Sequence, residues 1–213
     1  MIVTESPVKR VENGRGGLVG LVIAAGRSRR FGTEKAVADL LGKPLLVWAV
    51  ERLRRSCALV AVNARPGSET ERLALTCDLS VLHDAPGEAE GVLAGVKAGL
   101  AWADRVGARA LAVSPCDAPL LPDDLFERLI RAAGEGAALA ETPDGRQPLC
   151  SVWPVTALPT VTAALAGGAH PPTWRLLDGL GAARVAFADP AAFANINTRA
   201  DLEEVATRLD YQR

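Results

Sequence analysis

The sequence predicts an α/β fold, a Rossmann-like three-layer α/β/α arrangement around a mostly parallel sheet with a small antiparallel addition. Short β-rich runs alternate with helical periodicity at least four times before residue 135, a pattern that right-handed crossovers turn into a parallel sheet covered on both faces. The first run is apolar throughout, as a strand buried on both sides must be. Beyond residue 136 the rhythm changes to two strands flanking a turn, which marks the antiparallel part.

The elements follow in order. Leu18 to Ala25 is a continuous strand-forming run closed by Gly26. Pro44 suits a first helical turn, and Leu45, Leu46, Ala49, Val50 and Leu53 recur at helical spacing up to Arg54-Arg55. Ala58 to Val62 is a second strand ending at Asn63, after which Ser68 and Glu71 form a capping-box signature for a short helix. Leu79 to Leu82 is a third strand, and Gly91 to Ala103 a helix burying Leu93, Val96, Leu100 and Trp102. Ala110 to Val113 is a fourth strand, expected to break at Ser114-Pro115. Pro122, Asp123 and Asp124 then open a helix, their acids complementing its positive end. Strands at Ala137 to Ala140 and Leu149 to Trp153 flank a turn at Pro143-Asp144-Gly145. Helices near 157–166 and 173–180, a strand near 183–187 and a last helix from Asp201 complete the chain. Residues 1–17 read as a flexible leader and 18–213 as one domain, since no linker richer than Gly167-Gly168 divides them.

Composition narrows the function. The chain has 213 residues, 49% of them hydrophobic, enough for a full core. Its 24 basic and 25 acidic residues sum to −1, so no overall field favours nucleic acid or an acidic membrane. The four tryptophans, four phenylalanines and one tyrosine are too scattered for a base-stacking platform. Cys57, Cys77, Cys116 and Cys150 show no Cys-x-x-Cys spacing, which argues against zinc and against a disulfide framework. No apolar stretch reaches the roughly 20 residues of a membrane span, and the first seventeen residues lack a signal peptide's apolar segment. A cytoplasmic protein is expected.

In open α/β sheets ligands bind beyond the carboxyl ends of the strands. The first strand ends in Ala24-Ala25-Gly26-Arg27-Ser28-Arg29-Arg30-Phe31-Gly32-Thr33-Glu34-Lys35, a loop suited to wrapping and neutralising a triphosphate. It is neither a Walker A nor a Gly-x-Gly-x-x-Gly loop. A solvated basic turn is the competing reading of Arg27, Arg29 and Arg30. The fourth strand ends in Ser114-Pro115-Cys116-Asp117-Ala118-Pro119, where Asp117 is placed either to hold Mg²⁺ together with phosphate oxygens or simply to cap a turn. Asn63 and His83-Asp84 close the second and third strands, so three neighbouring edges could line one cleft. His83 and His170 read as ordinary histidines and Cys116 as a small buried neighbour.

Taken together these segments resemble the molybdenum cofactor guanylyltransferases, within the nucleotidyltransferases that share a Rossmann-like sheet. The similarity runs from about Leu18 to Leu209. It is carried by Ile23 to Lys35, Gly42-Lys43-Pro44-Leu45, Val62-Asn63-Ala64, Asp84, Pro115-Cys116-Asp117-Ala118-Pro119, Gln147-Pro148-Leu149 and Asn195-Ile196-Asn197-Thr198. The resemblance implies that Ile23, Ala24, Ala25, Gly26, Lys35, Asn63, Asp84 and Asp117 contact GTP. It implies that Asp117 holds Mg²⁺, that Lys35 with Arg27 or Arg30 stabilises the leaving pyrophosphate, and that Asn195 and Asn197 face the pterin substrate; a helix-entry turn before Asp201 is the competing reading of the two asparagines. The implied reaction transfers GMP to the terminal phosphate of molybdenum-loaded molybdopterin, with molybdopterin-delivering and molybdoenzyme-maturation proteins as partners. Two positions depart from the family pattern: Ala25 replaces a glycine, and Val92 replaces a proline within Gly91-Val92-Leu93-Ala94-Gly95. The Ala-Ala-Gly opening and Phe31 are shared with cytidylyltransferases acting on the same cofactor, while Pro-Cys-Asp and Asn-x-Asn-Thr favour the guanylyl type. CMP transfer, a sugar-phosphate acceptor and a non-catalytic nucleotide sensor are the alternative readings.

Overall fold

The computed structural model describes residues 17–26, 31–85 and 91–210. Nine strands are present among these: β1 Leu18–Ile23, β2 Asp39–Leu40, β3 Lys43–Pro44, β4 Leu59–Asn63, β5 Ser80–Leu82, β6 Ala110–Pro115, β7 Ala138–Thr142, β8 Gly145–Pro154 and β9 Ala183–Ala186. The helices are α1 Leu45–Arg54, α2 Glu69–Thr76, α3 Val92–Arg105, α4 Leu125–Ala133, α5 Leu158–Ala164, α6 Thr173–Gly179 and α7 Arg199–Asp210. Seven strands form one sheet in the order β5-β4-β1-β6-β8-β7-β9. β1, β4, β5 and β6 are parallel, whereas β8 runs antiparallel to both β6 and β7. The order places β1 between β4 and β6, so the carboxyl ends of β4, β1 and β6 stand side by side.

Alternation along the strands sorts side chains into two core layers. Val22, Ala112, Leu46, Leu53, Leu125 and Phe126 pack on one face. Leu21, Leu111, Val96, Leu100, Trp153 and Leu177 pack on the other. Each fully buried leucine or phenylalanine contributes about 1.5–3 kcal/mol relative to exposure. Trp153 is completely buried, and Ser151 Oγ accepts its indole N–H at 2.9 Å, so no polar atom of the ring is stranded. A third cluster of Phe31, Leu40, Leu45, Ile196 and Val205 binds α7 to the segment between β1 and α1.

Three local features differ from the sequence expectation. β6 continues through Ser114 and Pro115, because its pairing with β8 ends at Val113 opposite Ser151 and the proline's missing N–H falls past that ladder. α4 begins at Leu125, after a turn over Pro122. Asp123 bonds Arg55 at 2.5 Å instead of serving the helix end. β2 and β3, too short to show periodicity in the sequence, form a hairpin whose turn puts Leu41 and Gly42 at positive φ, 56° and 80°. Gly42 N–H donates to Asp39 Oδ1 there at 3.0 Å.

The Ser68–Glu71 capping signature is present in altered form. Ser68 Oγ accepts from Glu71 N–H at 3.0 Å, while the Glu71 carboxylate accepts from Gly67 N–H at 2.5 Å. β8 also bulges. Leu139 of β7 pairs with Ser151 but Ala140 pairs with Gln147, leaving Pro148, Leu149 and Cys150 without opposite numbers on β7. Ser151 Oγ donates to Pro148 O across the bulge at 2.8 Å.

α3 lies close on the sheet because two of its residues facing the strands are Gly95 and Gly99. A Cβ at Gly99 would stand 2.6 Å from Leu21 Cδ2 and 2.9 Å from Leu111 Cδ2. Both leucines are fully buried and have little room to yield. Gly99→Val should therefore cost about 1–3 kcal/mol by overpacking, read as a lower midpoint in chemical denaturation. An unchanged midpoint would mean that α3 is seated farther from β1 and β6.

Candidate active site

Lys35 opens a short 3-10 turn, Lys35–Val37, at the end of the loop after β1. Its ammonium donates to Asp117 Oδ2 at 2.9 Å and to Asn197 Oδ1 at 2.8 Å. Lys35 and Asp117 are 15% and 19% exposed, dry enough for a strong pair yet open to a ligand. Three segments far apart in sequence thus meet at one point beyond the carboxyl ends of β1 and β6.

Each partner is held from behind. Asp117 follows β6, and its carbonyl accepts from Ile196 N–H at 2.8 Å. Ile196 is 1% exposed in the third cluster, which also holds Phe31 at the end of the β1 loop. Burial of two apolar side chains therefore brings the loop, the acid and the Asn-Ile-Asn segment together. Asp201 Oδ2 accepts from Asn197 N–H at 2.7 Å and Thr198 N–H at 2.9 Å, while Thr198 Oγ1 accepts from Asp201 N–H at 3.2 Å. This reciprocal cap starts α7. The Asn197 amide and the Thr198 groups hold the Asp201 carboxyl below its ordinary range. Asn197 therefore serves both the helix entry and the Lys35 cluster. Asn195 is exposed and contributes its carbonyl, which accepts from Asn197 Nδ2 at 3.3 Å.

Asn63 lies one strand over, 1% exposed at the end of β4. Its Nδ2 donates to Asp84 Oδ1 at 2.9 Å and to Leu82 O at 3.3 Å. Its Oδ1 has no hydrogen-bonding partner among the described residues. A Cβ at Gly95 would stand 2.6 Å from that oxygen, so the glycine lets α3 close over Asn63. Ile23 and Ala24 run beside it, with Ala24 N–H donating to Asn63 O at 2.9 Å. Ala25 is half-buried and Gly26 exposed. Arg27, Arg29 and Arg30 lie outside the described residues.

Sequence reasoning missed two supports. Glu34 accepts from Thr70 Oγ1 at 2.6 Å, Thr70 N–H at 2.8 Å and Arg65 Nη2 at 3.1 Å. Arg52, on α1, donates from Nη2 to Pro119 O at 3.0 Å and so braces the loop carrying Asp117. Its side chain is 10% exposed, and burial lowers the affinity of its guanidinium for the proton. Only the Gly-x-Glu-Lys spacing hinted at Glu34. Nothing in the sequence sets Arg52 apart from Arg54 and Arg55.

The remaining candidates fall outside the cluster. His83 pairs with Glu71 at 2.7 Å. Cys57 and Cys150 are pushed up to about 12 by burial, and Cys116 is pushed higher still by the same cause. Those three thiols stay protonated and unreactive at neutral pH. Among the described residues no helix is long and apolar enough to cross a membrane.

Residues 20–183 match the model of the MobA-like NTP transferase domain. The chain belongs to the MobA-like NTP transferase family. A molybdenum cofactor guanylyltransferase from Cereibacter sphaeroides is 40% identical over 90% of this chain and 97% of its own length. The crystal structure of molybdopterin-guanine dinucleotide biosynthesis protein A from Archaeoglobus fulgidus superposes with a TM-score of 0.70 at 23% identity, covering 92% of this chain and all of the other. CMP:2-keto-3-deoxy-manno-octonic acid synthetase in complex with CTP shares the fold at a TM-score of 0.74 and 13% identity, over 92% and 99% of the two chains. The MobA-like chain is thus a nucleotidyltransferase, and its family match spans Lys35, Asn63, Asp84 and Asp117 but stops short of Asn195 and Asn197.

Glu34 offers a test of the loop's anchoring. Burial alone would raise its carboxyl, but the Thr70 hydroxyl and amide, the Glu69 amide and Arg65 outweigh burial and hold it below its ordinary value. A depressed carboxyl adds stability above the unfolded-state value near 4.3, and that stability disappears as pH falls through the folded value. The wild type should therefore be more stable than Glu34→Gln at pH 7, with the two converging as pH drops below about 4. Denaturation midpoints at several pH values check this. A gap independent of pH would show that the carboxylate charge is not what Thr70 and Arg65 recognise.

Proposed function

We propose that this chain transfers GMP from GTP to the terminal phosphate of molybdenum-loaded molybdopterin, releasing pyrophosphate. The observation that carries the reading is the convergence of Lys35, Asp117 and Asn197 beyond the carboxyl ends of β1 and β6. The names of the curated relatives support this reaction. An oxygen of the acceptor phosphate forms a bond to the α-phosphorus, and the bond from that phosphorus to the oxygen bridging the β-phosphate breaks. The electron pair departs with pyrophosphate. Because the nucleophile is already an anion, no proton needs to be removed, which suits a cluster without histidine or thiolate.

The work left to the protein is alignment and charge compensation between two groups that repel each other. Lys35 meets the leaving pyrophosphate, and Asn197 fixes the lysine's direction. Asn63 and Asp84 line the nucleotide beside Ile23, Ala24, Ala25 and Gly26, with Arg27 or Arg30 adding charge at the phosphates. Asn195 and Asn197 lie toward the pterin. Mg²⁺ fits the Asp117 corner, since the Asp117 carboxylate is partly open at 19% exposure and its bond to Lys35 engages Oδ2, and Mg²⁺ takes one or two carboxylates when phosphate oxygens complete its shell. Bound there, it would screen the negative charge of the triphosphate.

Incubation with metal-loaded molybdopterin, Mg²⁺ and each of GTP, CTP and ATP, followed by mass analysis, should yield the guanine dinucleotide. A cytosine product would reassign the base, and nucleotide binding without product would make the protein a sensor. Asp117→Asn should keep the fold and lose Mg²⁺-dependent turnover. Lys35→Ala should lower kcat at saturating GTP about a hundredfold. A change confined to KM would make Lys35 a ground-state binder instead.

A further inference from the structure

We infer that Glu34 is a positioning residue that fixes Lys35 by tying the end of the β1 loop to helix α2. The inference rests on the role proposed for Lys35. Three donors converge on the Glu34 side chain. Glu34 Oε2 accepts both the hydroxyl and the backbone N–H of Thr70, and Oε1 accepts Arg65 Nη2. Glu34 is 20% exposed and Thr70 only 1%.

The Thr70 amide lies in the first turn of α2, where N–H groups have no partner within the helix. Ser68 satisfies the N–H of Glu71, and Glu34 reaches across from a different segment to satisfy that of Thr70. A charged acceptor on a helix N-terminus is also favoured by the dipole. The residue after this clamp is Lys35, whose backbone enters the 3-10 turn directly. Val37 N–H donates to Glu34 O at 3.2 Å and Ala38 N–H to Lys35 O at 3.0 Å. With the backbone fixed on both sides, the four-carbon lysine side chain starts from a set point. Its freedom to miss Asp117 and Asn197 is correspondingly small.

The other end of the clamp reaches the opposite side of the candidate site. Glu71, one residue after Thr70, pairs with His83 at 2.7 Å. His83 precedes Asp84, which accepts from Asn63 at 2.9 Å. α2 is therefore a common frame: one residue of its first turn holds the loop that carries Lys35, and the next holds the strand end that carries Asp84. Lys35 and the Asn63–Asp84 pair are each referenced to the same helix, so Glu34 sets the distance between them.

The test uses the full chain and four variants: Glu34→Gln, Thr70→Val, Lys35→Ala and the Glu34→Gln/Lys35→Ala double. Glu34→Gln should lower kcat about ten- to a hundredfold with the KM for GTP within about twofold. Combined with Lys35→Ala, it should add little further loss, since both changes remove one effect. A readout independent of turnover is the rate at which a limiting acylating reagent modifies Lys35 in the ligand-free protein, followed by peptide mass spectrometry. Freed from its ion pair, the amine should react several-fold faster in Glu34→Gln, and faster by a smaller factor in Thr70→Val. Losses that multiply in the double variant, or an unchanged Lys35 modification rate in Glu34→Gln, would overturn the positioning role while leaving that of Lys35 intact. Wild-type turnover in Lys35→Ala would instead remove the role of Lys35, and with it any need to position it.

Discussion

The ion pair between Lys35 and Asp117 joins residues 82 positions apart, and most of the local architecture can be read as the means of keeping it in place. An ammonium and a carboxylate in a partly dehydrated corner attract more strongly than on an open surface, but only if both are held where they can meet. The sheet order supplies the first condition by making β1 and β6 neighbours. Phe31 and Ile196 supply the second: their shared apolar cluster fixes the loop after β1 and the segment before α7 against the Asp117 backbone. Asn197 completes the arrangement as a neutral acceptor that directs the ammonium without adding a competing charge.

Charge elsewhere in the molecule is managed by the same logic of bracing from behind. Arg52 spends one N–H on the Pro119 carbonyl and sits near Asp123, which Arg55 holds more closely. Its Nε and Nη1 find no partner among the described residues, an expensive arrangement for a buried guanidinium. What it obtains in exchange is a fixed end for the loop whose other end is a sheet strand. Asn63 shows a similar imbalance, with both donors used and its acceptor buried against Gly95. Unmet polar atoms of this kind are uncommon in native cores, which makes both side chains costly to keep.

Much of this was legible in the sequence because it is periodic or local. The apolar runs of β1, β4 and β6 and the helical spacing of α1 and α3 identify themselves, and the strand-end rule then points to Lys35, Asn63, Asp84 and Asp117. What could not be read is of two kinds. Very short elements such as β2 and β3 carry no periodicity, and their turn depends on Leu41 adopting a positive φ that its residue type disfavours. Long-range polar contacts leave no pattern at all. Glu34 meets Thr70 across 36 positions and Arg52 meets Pro119 across 67, distances that only the assembled fold brings to hydrogen-bonding range. Asn197 lay between the two cases: a helix-entry motif announced it, but its contact with Lys35 came from the docking of Ile196.

The bulge in β8 separates two jobs within one strand. From Ser151 to Pro154 the strand is laced to β6 and is part of the rigid platform. From Gly145 to Gln147 it pairs with β7 alone, so that the tip of the hairpin answers to β7 and β9 and not to the parallel strands. The interruption acts as an expansion joint. Any shift at the tip, where Arg146 meets Asp178 at 2.9 Å and Gln147 Nε2 donates to Thr142 Oγ1 at 3.2 Å, is thereby kept from the strands whose ends carry the lysine and the aspartate.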